Sequence, residues 1–372
     1  MLRRHGRSVS QITNLFALLI LALATSSCIH FDVTQAQVPI ETVMQAIHEY
    51  GRGHQVLPSP AASTATTETE ESYRTDVSLL LAEENFAELE KIAERNRTER
   101  PLFVGGLWKN NVFFNALGYP PHEGETKDSD YQFQIRRIQK WVAAYPQSSA
   151  ARISLARCYT DYADFARGEG TADTVSNGQW RLYNSRAATA KESLLAAARL
   201  KERDPHWYEA MQQVAFREGW DNAHARELLD QAAGFEPSYY HYYREYADYL
   251  KPQWYGKPGA IPAFAEEASS SLAEPDGSIL YFRIVSSLAC NCAPEVAELP
   301  SVSLTKFRTG YENVRRLYGF SNLNANRYAF VAYTFKDKPS AQQAFASIAD
   351  MEHDVWWGPH TFEAARAWAN TP

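Results

Sequence analysis

The chain has 372 residues, of which 45% are hydrophobic, 22% charged and 13% aromatic, enough for one large or two modest globular domains and too mixed for a wholly disordered, collagen-like or purely coiled-coil protein. Its 37 basic and 44 acidic residues give a formal charge of −7; the first 27 residues hold Arg3, Arg4 and Arg7 and no acid, so without them the balance is 34 against 44, or −10. An acidic body repels phosphate backbones, so no nucleic acid partner is expected.

Arg3, Arg4 and Arg7 precede an apolar run from Leu15 to Ala24, followed by Thr25, Ser26 and Ser27. This is the tripartite order of a secretory signal peptide over residues 1–27. The run is too short for a spanning helix, which needs about 20 apolar residues, and no second run of that length follows. The expected address is therefore export, to the periplasm or to a membrane-anchored lipoprotein state. Cys28 stands where a bacterial lipoprotein carries its acylated cysteine, although Thr25 occupies the position that usually holds leucine. Lipidation of Cys28 and ordinary cleavage after Ser26, Ser27 or Ala36 both fit, and a lipid on Cys28 is the one membrane attachment expected.

Residues 28–72 read as a flexible tether. Within it, Ile40 to Tyr50 has the spacing of a short helix with Val43, Met44 and Ile47 on one side, and residues 57–72, LPSPAASTATTETEES, form a linker that buries too little apolar surface to offset its ordering entropy. Residues 73–372 are the folded body. Its apolar residues recur at three and four positions: Leu79, Leu80 and Ala82 before Phe86, Leu89 and Ile92; Ile135, Ile138, Val142 and Tyr145 before Pro146; Ala187, Ala190, Leu194, Ala197 and Ala198 before Asp204-Pro205. The best strand candidate, Tyr328 to Phe335, places Tyr328, Val331, Ala332 and Phe335 on one helical face. The predicted fold is all-α.

The helices also show a repeat. With Pro237 as a terminal proline, Ala225, Leu229 and Ala232 take the small–large–small spacing of a second tetratricopeptide-type helix, and Tyr243, Tyr246, Ala247 and Leu250 take the spacing of the next first helix. Pro205 lies 32 residues earlier, near the period of about 34. Pro146 lies 59 residues before Pro205, which places an insertion at Arg167 to Gln179. The expectation is tetratricopeptide-like helical hairpins in a curved right-handed stack, best matched over 146–256.

Asp204-Pro205-His206-Trp207-Tyr208, Gly219-Trp220, Glu236-Pro237 with Tyr239 and Tyr240, Tyr249 to Gly256 (YLKPQWYG) and Phe362 to Ala369 (FEAARAWA) together resemble the bacterial domain-of-unknown-function family numbered 4034. The resemblance spans roughly Tyr73 to Pro372 and is most specific at the Trp-Tyr-Gly segment. It implies a tetratricopeptide-like helical protein and carries no catalytic residues.

The aromatic run Tyr239-Tyr240-His241-Tyr242-Tyr243, continued by Tyr246 and Tyr249, leads into the loop bearing Trp254 and Tyr255. Tyr239, Tyr240, Tyr243, Trp254 and Tyr255 are the candidate binding surface; the competing reading makes the tyrosines core and Trp254 a plug between helix pairs. Cys158 lies in an amphipathic segment and reads as a buried thiol. Cys290 and Cys292 are a candidate disulfide, with free thiols as the alternative. No nucleophile elbow, zinc-binding helix or phosphate loop is present, so no catalytic, metal or cofactor residue is nominated. Asp161 with Asp164 and Glu266 with Glu267 read as solvated charges, and His206 and His353 as parts of polar helix ends. The function expected is a protein–protein interaction scaffold of the bacterial envelope with an unidentified protein partner. The alternatives are an enzyme acting on an extracytoplasmic polymer and a structural part of an envelope assembly.

Overall fold

A computed structural model of the chain describes residues 38–61, 68–121, 124–289, 299–356 and 358–371. The signal segment, Cys28, linker residues 62–67 and the Cys290–Cys292 pair lie outside the described residues. The packing divides the chain at Pro39/Ile40, and the unit beginning at Ile40 is the one described below.

Among the described residues the structure is helical without strands, apart from one isolated bridge between Leu102 and Trp108. The helices are α1 Ile40–Gly51, α2 Glu70–Ala82, α3 Phe86–Thr98, α4 Lys109–Gly118, α5 Asp128–Ala144, α6 Ser149–Arg167, α7 Asn177–Ala198, α8 Pro205–Glu218, α9 Asn222–Phe235, α10 His241–Tyr249, α11 Ala260–Ser270, α12 Asp276–Val285, α13 Leu304–Tyr318, α14 Asn322–Thr334, α15 Lys338–Phe345 and α16 Pro359–Asn370. Local chemistry sets many of their ends. The side chains of Ser148, Ser176, Asp204, Asp221, Ser303 and Ser321 each accept a backbone N–H at a helix start, satisfying donors that the helix itself leaves open. Pro205 follows its cap at the first helical position, and α8 stops at Gly219 in the left-handed conformation, φ 67° and ψ 44°.

Successive helices pair. In α6 and α7, Gln179 donates to the Arg167 carbonyl at 3.3 Å, Arg186 to that of Tyr162 at 2.7 Å and Ser193 to that of Arg152 at 2.8 Å; the opposed numbering makes the pair antiparallel. The segment between them, residues 168–176, carries a short 3₁₀ turn at Ala172–Thr174 and falls within the Arg167–Gln179 stretch. α12 and α13 pair likewise, through Ser303 N to Tyr281 Oη at 2.7 Å and Asn313 to Ser278 at 3.0 Å. α8 pairs with α9, and α14 with α15. α8 also touches α6 and α10, and α10 touches α12, so the first helices of consecutive pairs stand side by side.

The segment placed in the tether by sequence takes part in the body. Val43, Met44, Ile47 and Tyr50 of α1 are buried on α7 and α9. Tyr50 stacks on Trp207 at 4.1 Å, accepts the Asp204 N–H at 2.8 Å and returns its hydroxyl to the Asp204 carbonyl at 3.3 Å. The linker's first residues are held too: Arg100 donates to the Pro58 carbonyl and Ser59 to Asp276, both at 2.8 Å. Its last three residues open α2, where Thr69 and Ser72 form a capping box.

Candidate functional site

The tyrosine run is buried. Tyr239 and Tyr240 precede α10, and both they and Tyr243 lie in the interior. Tyr239 packs edge-on against Trp108 and donates to Glu209 at 2.8 Å; Tyr240 lies under the Arg283 guanidinium, 4.4 Å from its ring centre. The following loop differs. Trp254 is 45% exposed, one edge against Phe216, whereas Tyr255 is half-buried and donates to the Phe216 carbonyl at 2.8 Å. Gly256 closes this loop, because a Cβ there would meet the Leu250 carbonyl oxygen at 1.8 Å.

Beneath the run lies a polar hub. Asp204 caps α8 through the His206 N–H and accepts from Asn110, each at 2.8 Å. His206 Nδ1 meets Glu209 at 2.8 Å, and Asn111 donates to the same carboxylate at 2.8 Å. Burial alone would raise Glu209; the charge and hydrogen bond of His206, with the Tyr239 hydroxyl, hold it below the usual carboxylate range. Sequence reading put His206 at a polar helix end, but it is fully enclosed and stacks on Phe114 at 4.4 Å. The hub is buried and ties α4 to α8 and to Tyr239 just before α10.

Trp254 instead overhangs a groove of about 290 Å³. It is lined by Tyr119 at the end of α4, 53% exposed, and by Trp254 with Phe216. Between them α6, α8 and α10 supply charged and amide groups of both kinds. Arg157 grips Asp161 one turn below it, and Arg217 grips Asp164. Asp161, read from sequence as a solvated charge, is buried; its carboxyl is raised by burial against the lowering pull of Arg157 and Arg217. Arg157 stays charged despite burial because Asp161 favours its cationic form. Glu245 accepts from Gln213 at 3.2 Å and is raised by burial and then by the nearby Glu209 charge. Asp161 Oδ2 and Gln213 Oε1 are buried acceptors without a donor among the described residues. The groove thus places charged and amide side chains of both donor and acceptor kinds beside aromatic ones.

Among the described residues no group of three His, Cys, Asp or Glu is arranged to hold a metal, and no helix is long and apolar enough to cross a membrane. Cys158 is a free, buried thiol. Sequence reading reached Trp254 but missed Tyr119, Arg157, Gln213 and Glu245. The available signal was Arg157 and Asp161, four residues apart on an otherwise apolar stripe of α6, where an unpaired charge would be expelled.

No protein-family model matches the chain, and no curated protein or solved structure does so.

Proposed function

We propose that this chain is an exported binding scaffold of the bacterial envelope, whose groove between Tyr119 and Trp254 receives an extended segment of another protein. The observation that carries the reading is the groove itself: two exposed aromatic side chains beside charged and amide groups, which suits a peptide backbone with its polar side chains. Rigid aromatic side chains bury much area for little lost freedom, and they anchor interfaces for that reason. Side-by-side helix pairs support a tetratricopeptide-like stack, consistent with the family resemblance at Tyr249 to Gly256. The N-terminal pattern supports export, with Cys28 as the lipid attachment point.

A photo-crosslinking amino acid placed at Trp254 in the full chain, expressed in its host, tests this. One discrete envelope protein captured at position 254, and not from exposed Leu79 on α2, is expected. Equal background from both positions would overturn the reading.

A second reading, an enzyme acting on an envelope polymer, draws on the raised Asp161 and Glu245 carboxyls lining one groove. It requires that the protein release soluble fragments from peptidoglycan and that Glu245→Gln stop the release. Intact peptidoglycan after prolonged incubation would remove it.

A further inference from the structure

Away from the groove, a second pocket of about 340 Å³ opens where α10, α12 and α14 meet the loop 103–107 and the start of α2. Three arginines from these three helices line it: Arg244, Arg283 and Arg327. Arg283 is only 4% exposed. It donates to Asn324 at 3.2 Å and to the Gly105 carbonyl, while its plane covers the Tyr240 ring. Its Nε, with those of Arg244 and Arg327, is buried without a hydrogen-bond partner among the described residues. The two carboxylates on the rim are engaged elsewhere, Glu68 by Lys109 and Glu70 by Arg74 at 2.7 Å. The three guanidiniums therefore lie close enough to repel one another, with Asp354 offsetting part of the charge at Arg327. Arg327 is brought down to about 9, by burial first and then by Arg244 and Arg283 against Tyr240 and Asp354, and Arg283 is lowered by burial first and then by Arg244, against Tyr240 and Tyr318.

Buried like charges are stable only when something of opposite sign joins them. We propose that this pocket binds a phosphate group, free or as a phosphomonoester, held by Arg244, Arg283 and Arg327. Three planar forks on three separate helices surround a volume, which fits the several oxygens of a tetrahedral dianion better than the single plane of a carboxylate. The start of α14 adds to the field, since Ser321 and Asn324 sit on the wall and the helix N-terminus is positive. Glycine at 105 leaves room beside the pocket, since a Cβ there would strike Ser321 at 2.4 Å. Glu68 and Glu70 at the mouth disfavour entry of larger polyanions. The pocket shares no lining residue with the groove, so the inference stands independently of the scaffold reading.

The test is calorimetric titration and thermal unfolding of the full chain with inorganic phosphate, glycerol phosphate and acetate, at matched ionic strength. Both phosphates are expected to bind with sub-millimolar affinity and raise the unfolding temperature, and acetate to do neither. Equal affinity for the two phosphates marks the free oxyanion as sufficient ligand, and preference for the ester marks an esterified one; both support the site. Arg327→Gln should lose at least tenfold in phosphate affinity while unfolding, without phosphate, at the same or a higher temperature, because a repulsion has been removed. No phosphate effect beyond that of acetate, or wild-type affinity in a folded Arg327→Gln protein, would overturn the proposal.

Discussion

His241 opens α10 between the Tyr240 ring, stacked at 4.2 Å, and Tyr239, with its Nε2 buried and without a partner among the described residues. Burial brings the imidazole down to about 3, and Arg244, His206 and Arg283 push the same way against Glu209. The folded chain thus resists a proton that the unfolded chain accepts near 6.5. Stability from this residue is complete above that value and is lost as pH falls from 6.5 toward 3, by roughly 2 kcal/mol at pH 5. The melting temperature should fall between pH 7 and pH 4.5, and His241→Phe, which keeps the stacking and removes the titration, should flatten part of that slope. Parallel curves for the two proteins would contradict the assignment. At this scale sequence reading saw aromatic residues and not their surroundings. Tyr239, Tyr240 and Tyr243 have the same composition and spacing whether they face a groove or a core, and only the packing shows that they are buried and that the Tyr239 hydroxyl meets the polar hub.

Helices were more legible than side chains. Their apolar period, capping serines and aspartates, and terminal prolines and glycines are local signals, so α6 to α9 and the helical Tyr328 to Phe335 segment could be read from spacing alone. α1 was legible as a helix and not as part of the body, because its neighbours in space, Trp207 and Phe235, lie more than 150 residues away in the chain. Its docking has a measurable consequence. Tyr50→Ala removes a buried ring and the hydroxyl that satisfies the Asp204 backbone, and should destabilise the whole body by about 3–5 kcal/mol. If α1 were only tether, chemical denaturation of the variant would superimpose on that of the parent chain. The linker behaves the same way: its composition marks it as poor in core residues, yet Pro58 and Ser59 are fixed by Arg100 and Asp276.

At the scale of the molecule, first helices from consecutive pairs stand next to one another, and both proposed binding places arise where they meet. The groove takes residues from α6, α8 and α10; the arginine pocket takes one arginine each from α10, α12 and α14. Neither place is visible as a motif, since each is assembled from residues tens of positions apart, and that is why the absence of catalytic signatures said little about binding. The most direct measurement is the affinity of the protein captured at position 254 for the parent chain and for a Trp254→Ala, Tyr119→Ala double variant. Both changes lie on exposed rings, so the variant should keep its melting temperature. Recognition at the groove predicts at least a tenfold loss, about 1.4 kcal/mol or more; an unchanged dissociation constant in a folded double variant would contradict it.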